Sequence, residues 1–185
     1  VSNVISGIFL ISENTFTVGD LIQVGETTGR VIAVDLLSVK IRTFDNRFVR
    51  IPNEVMIKSQ VINSTRFPIR RVDILIRIGY RMDIEKVRSI LFQEARDNPY
   101  CLDEPEPVFL VEKFGSSAIE IKLGVWCVRE DFVNLKNSMM IAIKKRFDME
   151  KIEIPFQQIT VHAGTSTEPF PVKLRGDAKS QAALK

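Results

Sequence analysis

Few residues in this chain are of types that do chemistry, and their spacing argues against most of it. The one histidine, His162, has no serine, cysteine or carboxylate constellation around it, and nucleophilic catalysis needs a base beside the nucleophile. It reads as structural or solvent-facing. Cys101 and Cys127 fall in different predicted elements without metal-ligand spacing, which suits a reduced compartment. Asp103, Glu104 and Glu106 gather three carboxylates in a Pro-rich stretch, but hard cations need ligands at fixed offsets in a rigid turn, so a solvated loop is expected. Gly25, Gly29 and Gly115 stand as isolated turn residues, leaving neither a P-loop nor a dinucleotide fingerprint. No catalytic residue, metal site or cofactor is expected. Arg66, Arg70 and Arg71 form a basic patch on a Pro-containing linker.

The elements that must position these residues fall into blocks. Residues 1–13 place Val1, Val4, Ile5, Ile8 and Phe9 at helical spacing with a small, polar strip of Ser2, Asn3, Ser6 and Gly7 between them. This predicts an amphipathic helix, either a core helix of a globular domain or one whose small face lets helices approach closely in a bundle. It has no basic leader and no small-residue cleavage site, so it does not read as a signal peptide. Residues 16–24 and 29–34 open a β block. Asp45-Asn46 then sits between the β-rich runs 39–44 and 47–51, predicting a tight primed hairpin turn, and Pro52 ends the second run because it cannot donate to a ladder. Several short strands within about fifty residues predict a small barrel or sandwich.

From residue 72 the pattern changes. Val72, Ile74, Ile76 and Ile78 alternate with polar neighbours as a strand; Asp83 is placed to cap a helix with the stripe Ile84, Val87, Ile90, Leu91 and Ala95, stopped by Asn98-Pro99. A strand over 108–111, another over 119–127, a helix capped by Asp131 with the stripe Phe132, Leu135, Met139, Ile143 and Phe147, and a last strand over 158–162 complete a β-α-β-β-α-β order, which specifies a ferredoxin-like unit. Trp126 and the Met139-Met140 pair are assigned to the packed interior. Pro and charge interrupt the periodicity over residues 63–71, marking a linker. Residues after Gly164 lack sustained periodicity and are expected to be mobile.

Bulk composition is ordinary: 45% hydrophobic and 26% charged residues, with 26 basic against 23 acidic side chains, so no polyanion partner is demanded. No apolar run approaches the roughly 18 residues of a membrane helix. The first residue, Val1, hints at a fragment or a processed start. An RNA-binding module built from a small β-barrel and a ferredoxin-like domain is the rival reading, helped by the arginine patch. Against it, Val72 to Ile78 is aliphatic and residues 108–111 hold only Phe109, so base-stacking platforms are lacking and no nucleic acid is expected.

Read together, Phe16-x-x-Gly19-Asp20, Gly29-x-Val31, Ile51-Pro52-Asn53 and Ile62-Asn63 resemble the cytosolic signature of the small-conductance mechanosensitive channel (MscS-like) family, and similarity extends from about Ser2 to Val161. Asp45-Asn46 departs from the Asp-Gly that the family often has, and the tail after Gly164 has no family pattern. The resemblance implies an α+β fold: the end of a pore-lining helix (1–15), a small five-stranded, barrel-like (Sm-like) β domain (16–63), a ferredoxin-like α/β domain (64–155), a C-terminal barrel strand (156–163) and a mobile tail (164–185). It implies a homoheptamer in a bacterial-type inner membrane, anchored in lipid by helices upstream, with this region on the cytoplasmic side. The whole would open under tension and release ions and small osmolytes in hypo-osmotic shock. Asn3, Gly7, Phe16, Gly19 and Asp20 would couple the pore helix to the β domain; Pro52, Asn53 and Asn63 carry the β-domain motif; Arg66, Arg70 and Arg71 would ring side portals of the cage.

Overall fold

Alternation and capping account for most of the architecture seen in a computed structural model, which describes residues 2–156. Helix α1 (Ser2–Glu13) leads into five strands: β1 (Leu21–Val24), β2 (Thr27–Val34), β3 (Ser38–Thr43), β4 (Phe48–Pro52) and, after a short helix α2 (Asn53–Lys58), β5 (Val61–Asn63). They form one antiparallel sheet ordered β4-β3-β2-β1-β5. The sheet is open: β4 and β5 are its two edges and do not pair, so the expected barrel is not closed among the described residues. Ile22, Val24, Val31, Val39, Ile41 and Ile51 cover one face with Leu10, Phe16 and Met56.

Two local expectations change here. A primed two-residue turn needs positive φ at both central residues, yet only Asn46 has it, at 63°. Asn46 N–H bonds the Thr43 carbonyl at 3.0 Å and Thr43 N–H the Arg47 carbonyl at 3.0 Å, which makes a three-residue loop ending in a left-handed residue. Pro52 ends β4, as its missing donor requires, but it also starts α2: its φ of −59° suits the residue before a helix, and Asn53 follows directly as the first helical residue.

The second sheet is three-stranded and antiparallel, ordered β6-β8-β7, from β6 (Ile69–Ile78), β7 (Val108–Phe114) and β8 (Ile119–Val128). Helices α3 (Ile84–Asp97) and α4 (Phe132–Met149) cover one face. Each strand alternates, so Val72, Ile74, Ile76 and Ile78 meet Ile119, Ile121, Leu123, Val125 and Cys127 in a core that the helices close with Val87, Leu91, Leu135, Met139 and Phe147. Asp83 caps α3, its carboxylate accepting from Glu85 N–H at 2.9 Å and Lys86 N–H at 3.3 Å. Asp131 does not cap α4. A 3-10 turn over Arg129–Asp131 precedes that helix, and the Asp131 carboxylate instead accepts from the Asn134 side chain at 3.1 Å.

Met139 is buried, but its neighbour Met140 points to solvent, as the helical step of 100° per residue requires. Trp126 lies half-buried on the sheet face away from the helices. Asp103, Glu104 and Glu106 sit in an exposed loop. The predicted strand over 158–162, His162 and the tail lie outside the described residues.

Candidate coupling site at the foot of the N-terminal helix

Small residues, together with Leu10, dock α1 onto α2 and the loop before β3. Ser6, Gly7 and Leu10 are its buried positions, whereas Ile5, Ile8, Phe9 and Ile11 are all at least half exposed. At Gly7 the helix comes so close that an added Cβ would collide with the Leu36 carbonyl oxygen and stand 2.6 Å from Asn53 Nδ2. One turn earlier, Asn3 Oδ1 accepts from Glu54 N–H at 3.0 Å, satisfying a free donor in the first turn of α2. Asn53 is fully buried; its Nδ2 donates to the Asp35 carbonyl at 2.9 Å and its backbone N–H to the Leu37 carbonyl at 3.1 Å. Asn3, Gly7 and Asn53, two of them forty-six or more residues from the third, therefore form one contact between α1, α2 and the loop before β3.

A second polar knot holds the exit of α1. Gly19 has φ +98°, a conformation that side chains with a Cβ rarely adopt, and its N–H bonds the Val31 carbonyl at 2.8 Å. That turn aims the next residue, Asp20, inward. Its Oδ2 accepts from Thr17 N–H at 3.0 Å and Asn63 Nδ2 at 2.9 Å, and its Oδ1 from the Thr65 hydroxyl at 2.9 Å. Burial raises the Asp20 pKa, but the bonds from Thr17, Asn63 and Thr65 outweigh it and hold the carboxyl below its ordinary value. Asn63 Nδ2 also reaches the Thr15 carbonyl at 3.3 Å, and Phe16 beside it is buried in the first core.

Thr65 carries this knot toward the second sheet. Its hydroxyl accepts from Leu21 N–H at 3.0 Å, while its carbonyl accepts from Arg129 Nη1 at 2.5 Å. Arg129 also bonds the Pro68 carbonyl through its backbone N–H at 3.0 Å. Neither Thr65 nor Arg129 is singled out by sequence pattern. Thr65 belongs to a polar run beside Asn63 that reads as linker, and Arg129 gives no signal, because its partner lies sixty-four residues away.

The three patch arginines do not act as a unit. Only Arg66 lies in the linker, donating to the Asn14 carbonyl at 3.2 Å; Arg70 and Arg71 belong to β6 and, as neighbours on a strand, face opposite ways. Arg70 lies 4.0 Å over the Phe132 ring, on the helix side. On the open side, Arg71 makes a two-pronged pair with Asp73, at 2.6 and 3.1 Å.

No helix among the described residues is long and apolar enough to cross a membrane. The family model for the β-domain of mechanosensitive ion channels matches residues 1–66, and the model for the C-terminal region of the mechanosensitive channel MscS matches residues 72–154. An MscS family protein of Synechocystis is 39% identical over 162 residues, covering 88% of this chain and 55% of that protein. The small-conductance mechanosensitive channel of Helicobacter pylori is 31% identical, over 87% of this chain and 59% of that protein. This chain thus spans little more than half the length of these relatives. The crystal structure of Helicobacter pylori MscS in its closed state superposes with a TM-score of 0.83 at 28% identity, over 89% of this chain and 66% of that one. These relatives lend no support to the RNA-binding reading. With both halves of the described structure matched in order, the chain belongs to the MscS family of mechanosensitive ion channels, a family of channels and not of enzymes.

Proposed function

We propose that this chain is the cytosolic cage region of a homoheptameric channel that opens under membrane tension and releases ions and small osmolytes during hypo-osmotic shock. On this reading residues 1–15 end the pore-lining helix, 16–63 form an Sm-like β domain, 64–155 a ferredoxin-like domain whose fourth strand follows, and 156–163 the strand of a sevenfold barrel. Lipid contact comes from helices upstream, in a bacterial-type inner membrane, with this region on the cytoplasmic side.

The observation that carries the reading is the double character of α1. Its small face is locked to α2 and the loop before β3 at Gly7, Asn3 and Asn53, while Ile5, Ile8, Phe9 and Ile11 stand exposed on the other side. An exposed apolar stripe of that kind asks for cover, and equivalent helices of a ring would supply it. Movement of such a helix reaches the sheet through Gly7 and the Asp20 knot without a flexible break, so pore and cage would shift together.

The test is full-length protein reconstituted in liposome patches. Suction should open a conductance and light scattering should report seven copies; a membrane-inserted protein silent at lytic tension sinks the proposal. The same patches test the portal charges. Since Asp73 already neutralises Arg71, anion preference would rest on Arg66 and Arg70, and removing both charges should shift the reversal potential in a salt gradient toward cations. An unchanged reversal potential would remove these arginines from the permeation path.

A further inference from the structure

Between the two sheets lies a cleft of about 390 Å³ lined by Arg30, Arg70, Arg129, Asp20, Glu130 and Thr65, and its charges are not balanced. Glu130 neutralises Arg129 at 2.8 Å. Arg30 donates only to the Gly19 carbonyl, at 2.6 Å, and Arg70 lies on the Phe132 ring. Neither has a carboxylate partner among the described residues. The opposing charge of Asp20 is turned into the knot, where both of its oxygens are already occupied by Thr17, Asn63 and Thr65.

We propose that this cleft is a binding site for a phosphate-class oxyanion, held by the Arg30 guanidinium from the first sheet and the Arg70 guanidinium from the second. Charge and shape favour that class. Set against the single Asp20 carboxylate, the Arg30 and Arg70 guanidinium groups leave the cleft net positive, and a phosphate monoester brings it a charge of about −1.5 to −2 at neutral pH. A guanidinium is a planar fork with donors spaced for two oxygens of one anion. With one fork contributed by each sheet, a tetrahedral anion can offer an oxygen pair to both, whereas a planar carboxylate serves one. The stacking of Arg70 on Phe132 orders its side chain in advance, which reduces the entropy cost of holding a ligand. The site does not depend on the channel reading, and an occupant would tie the two sheets together.

Free phosphate and a phosphate carried on an organic group share this chemistry, and calorimetry on the purified full-length protein separates them. At fixed ionic strength in chloride, inorganic phosphate, glycerol phosphate and acetate are titrated in turn. Saturable binding at one site per chain is expected for phosphate or glycerol phosphate. Arg30→Gln and Arg70→Gln should each weaken it at least tenfold, and Arg81→Gln, an exposed arginine outside the cleft, should leave it unchanged. Binding of both probes assigns the site to the bare anion; binding of glycerol phosphate alone assigns it to an organic phosphate. Arg70→Lys keeps the charge but loses the fork, so a loss of at least threefold is expected from it even if the glutamine variant unfolds. Acetate binding as tightly as phosphate, heats that never saturate, or equal weakening by Arg81→Gln would overturn the proposal.

Discussion

The two sheets are stabilised by different means. Around the second, helices α3 and α4 close a continuous apolar core in which Ile78, Leu91, Ile121, Leu123, Leu135 and Phe147 are fully buried, and the polar groups mostly stay outside it. Around the first, the core is smaller, and fixed polar contacts set the geometry: Asn53 buried without solvent, Asp20 in its knot, Gly7 against backbone. Exposed apolar residues do not separate the halves: Ile5, Ile8 and Phe9 face outward on the first, and Leu75, Leu110 and Phe114 on the second. The second half thus resembles a self-sufficient folding unit, stabilised by burial that is insensitive to detail. In the first half a single misplaced atom costs a contact with no substitute.

The largest effect expected from breaking this contrast is in the second core. Phe147→Ala removes a fully buried ring and should cost about 3–5 kcal/mol by denaturant unfolding. Hydrogen exchange should rise across β6, β8 and α4 while the amides of β1, β2 and β3 change little. Equal loss of protection in both sheets would show one cooperative unit and dissolve the distinction.

Gly7→Ala tests the other half. One methyl group meets the Leu36 carbonyl and the Asn53 amide, so α1 must lift or its neighbours shift, at a cost of about 1–3 kcal/mol. Exchange at α1 and α2 should quicken with the second core untouched. Gly19→Val should follow at about 1–2 kcal/mol, and its cause differs: no atom lies within 4 Å of the added Cβ, so the penalty is entirely backbone strain at φ +98°. Gly19→Asn should cost less than the valine variant, since Asn tolerates that region best after Gly. Equal melting temperatures for valine, asparagine and wild type would refute the strain account.

The same contrast decides how much was legible in the sequence. In the second half, strict alternation over 72–78 and 119–127, the Asp83 cap and two helical stripes specify each element, because burial repeats with the period of the backbone. Four of the five strands of the first sheet are also readable, through turn residues and Pro52, whereas Val61–Asn63 is too short to show a period. What escaped was set by distant partners. On α1, periodicity leaves open whether the apolar stripe or the small strip packs; Ser6, Gly7 and Leu10 are the buried positions, and backbone approach at Gly7 excludes larger side chains. The helix Asn53–Lys58 has too few residues to show a period, and Asp131 lost its capping role to the 3-10 turn before it. Within the candidate site, Gly19, Asp20, Pro52, Asn53 and Asn63 stand out as a motif, but the hydrogen-bond partners Thr65 and Thr15, and the bridging Arg129, do not. No local pattern encodes a contact across fifty or sixty residues.

The smallest expected effect lies at Asp20 and sharpens the comparison through pH. Its folded pKa lies below the unfolded value of 3.8, so its contribution to stability is fully present above that value and is lost as pH falls through the folded pKa. Protonation would place a hydrogen where Oδ1 and Oδ2 now accept from Thr17, Asn63 and Thr65. Asp20→Asn forces a similar loss of acceptors at every pH while nearly preserving shape. The melting-temperature gap between wild type and Asp20→Asn should therefore be constant near neutrality and narrow progressively below about pH 4, and exchange should locate the change at residues 15–21 and 63–65, with the second core unaffected. A gap that stays constant down to pH 3 would mean that the carboxylate's charge contributes nothing to the knot and that its geometry rests on Gly19 alone.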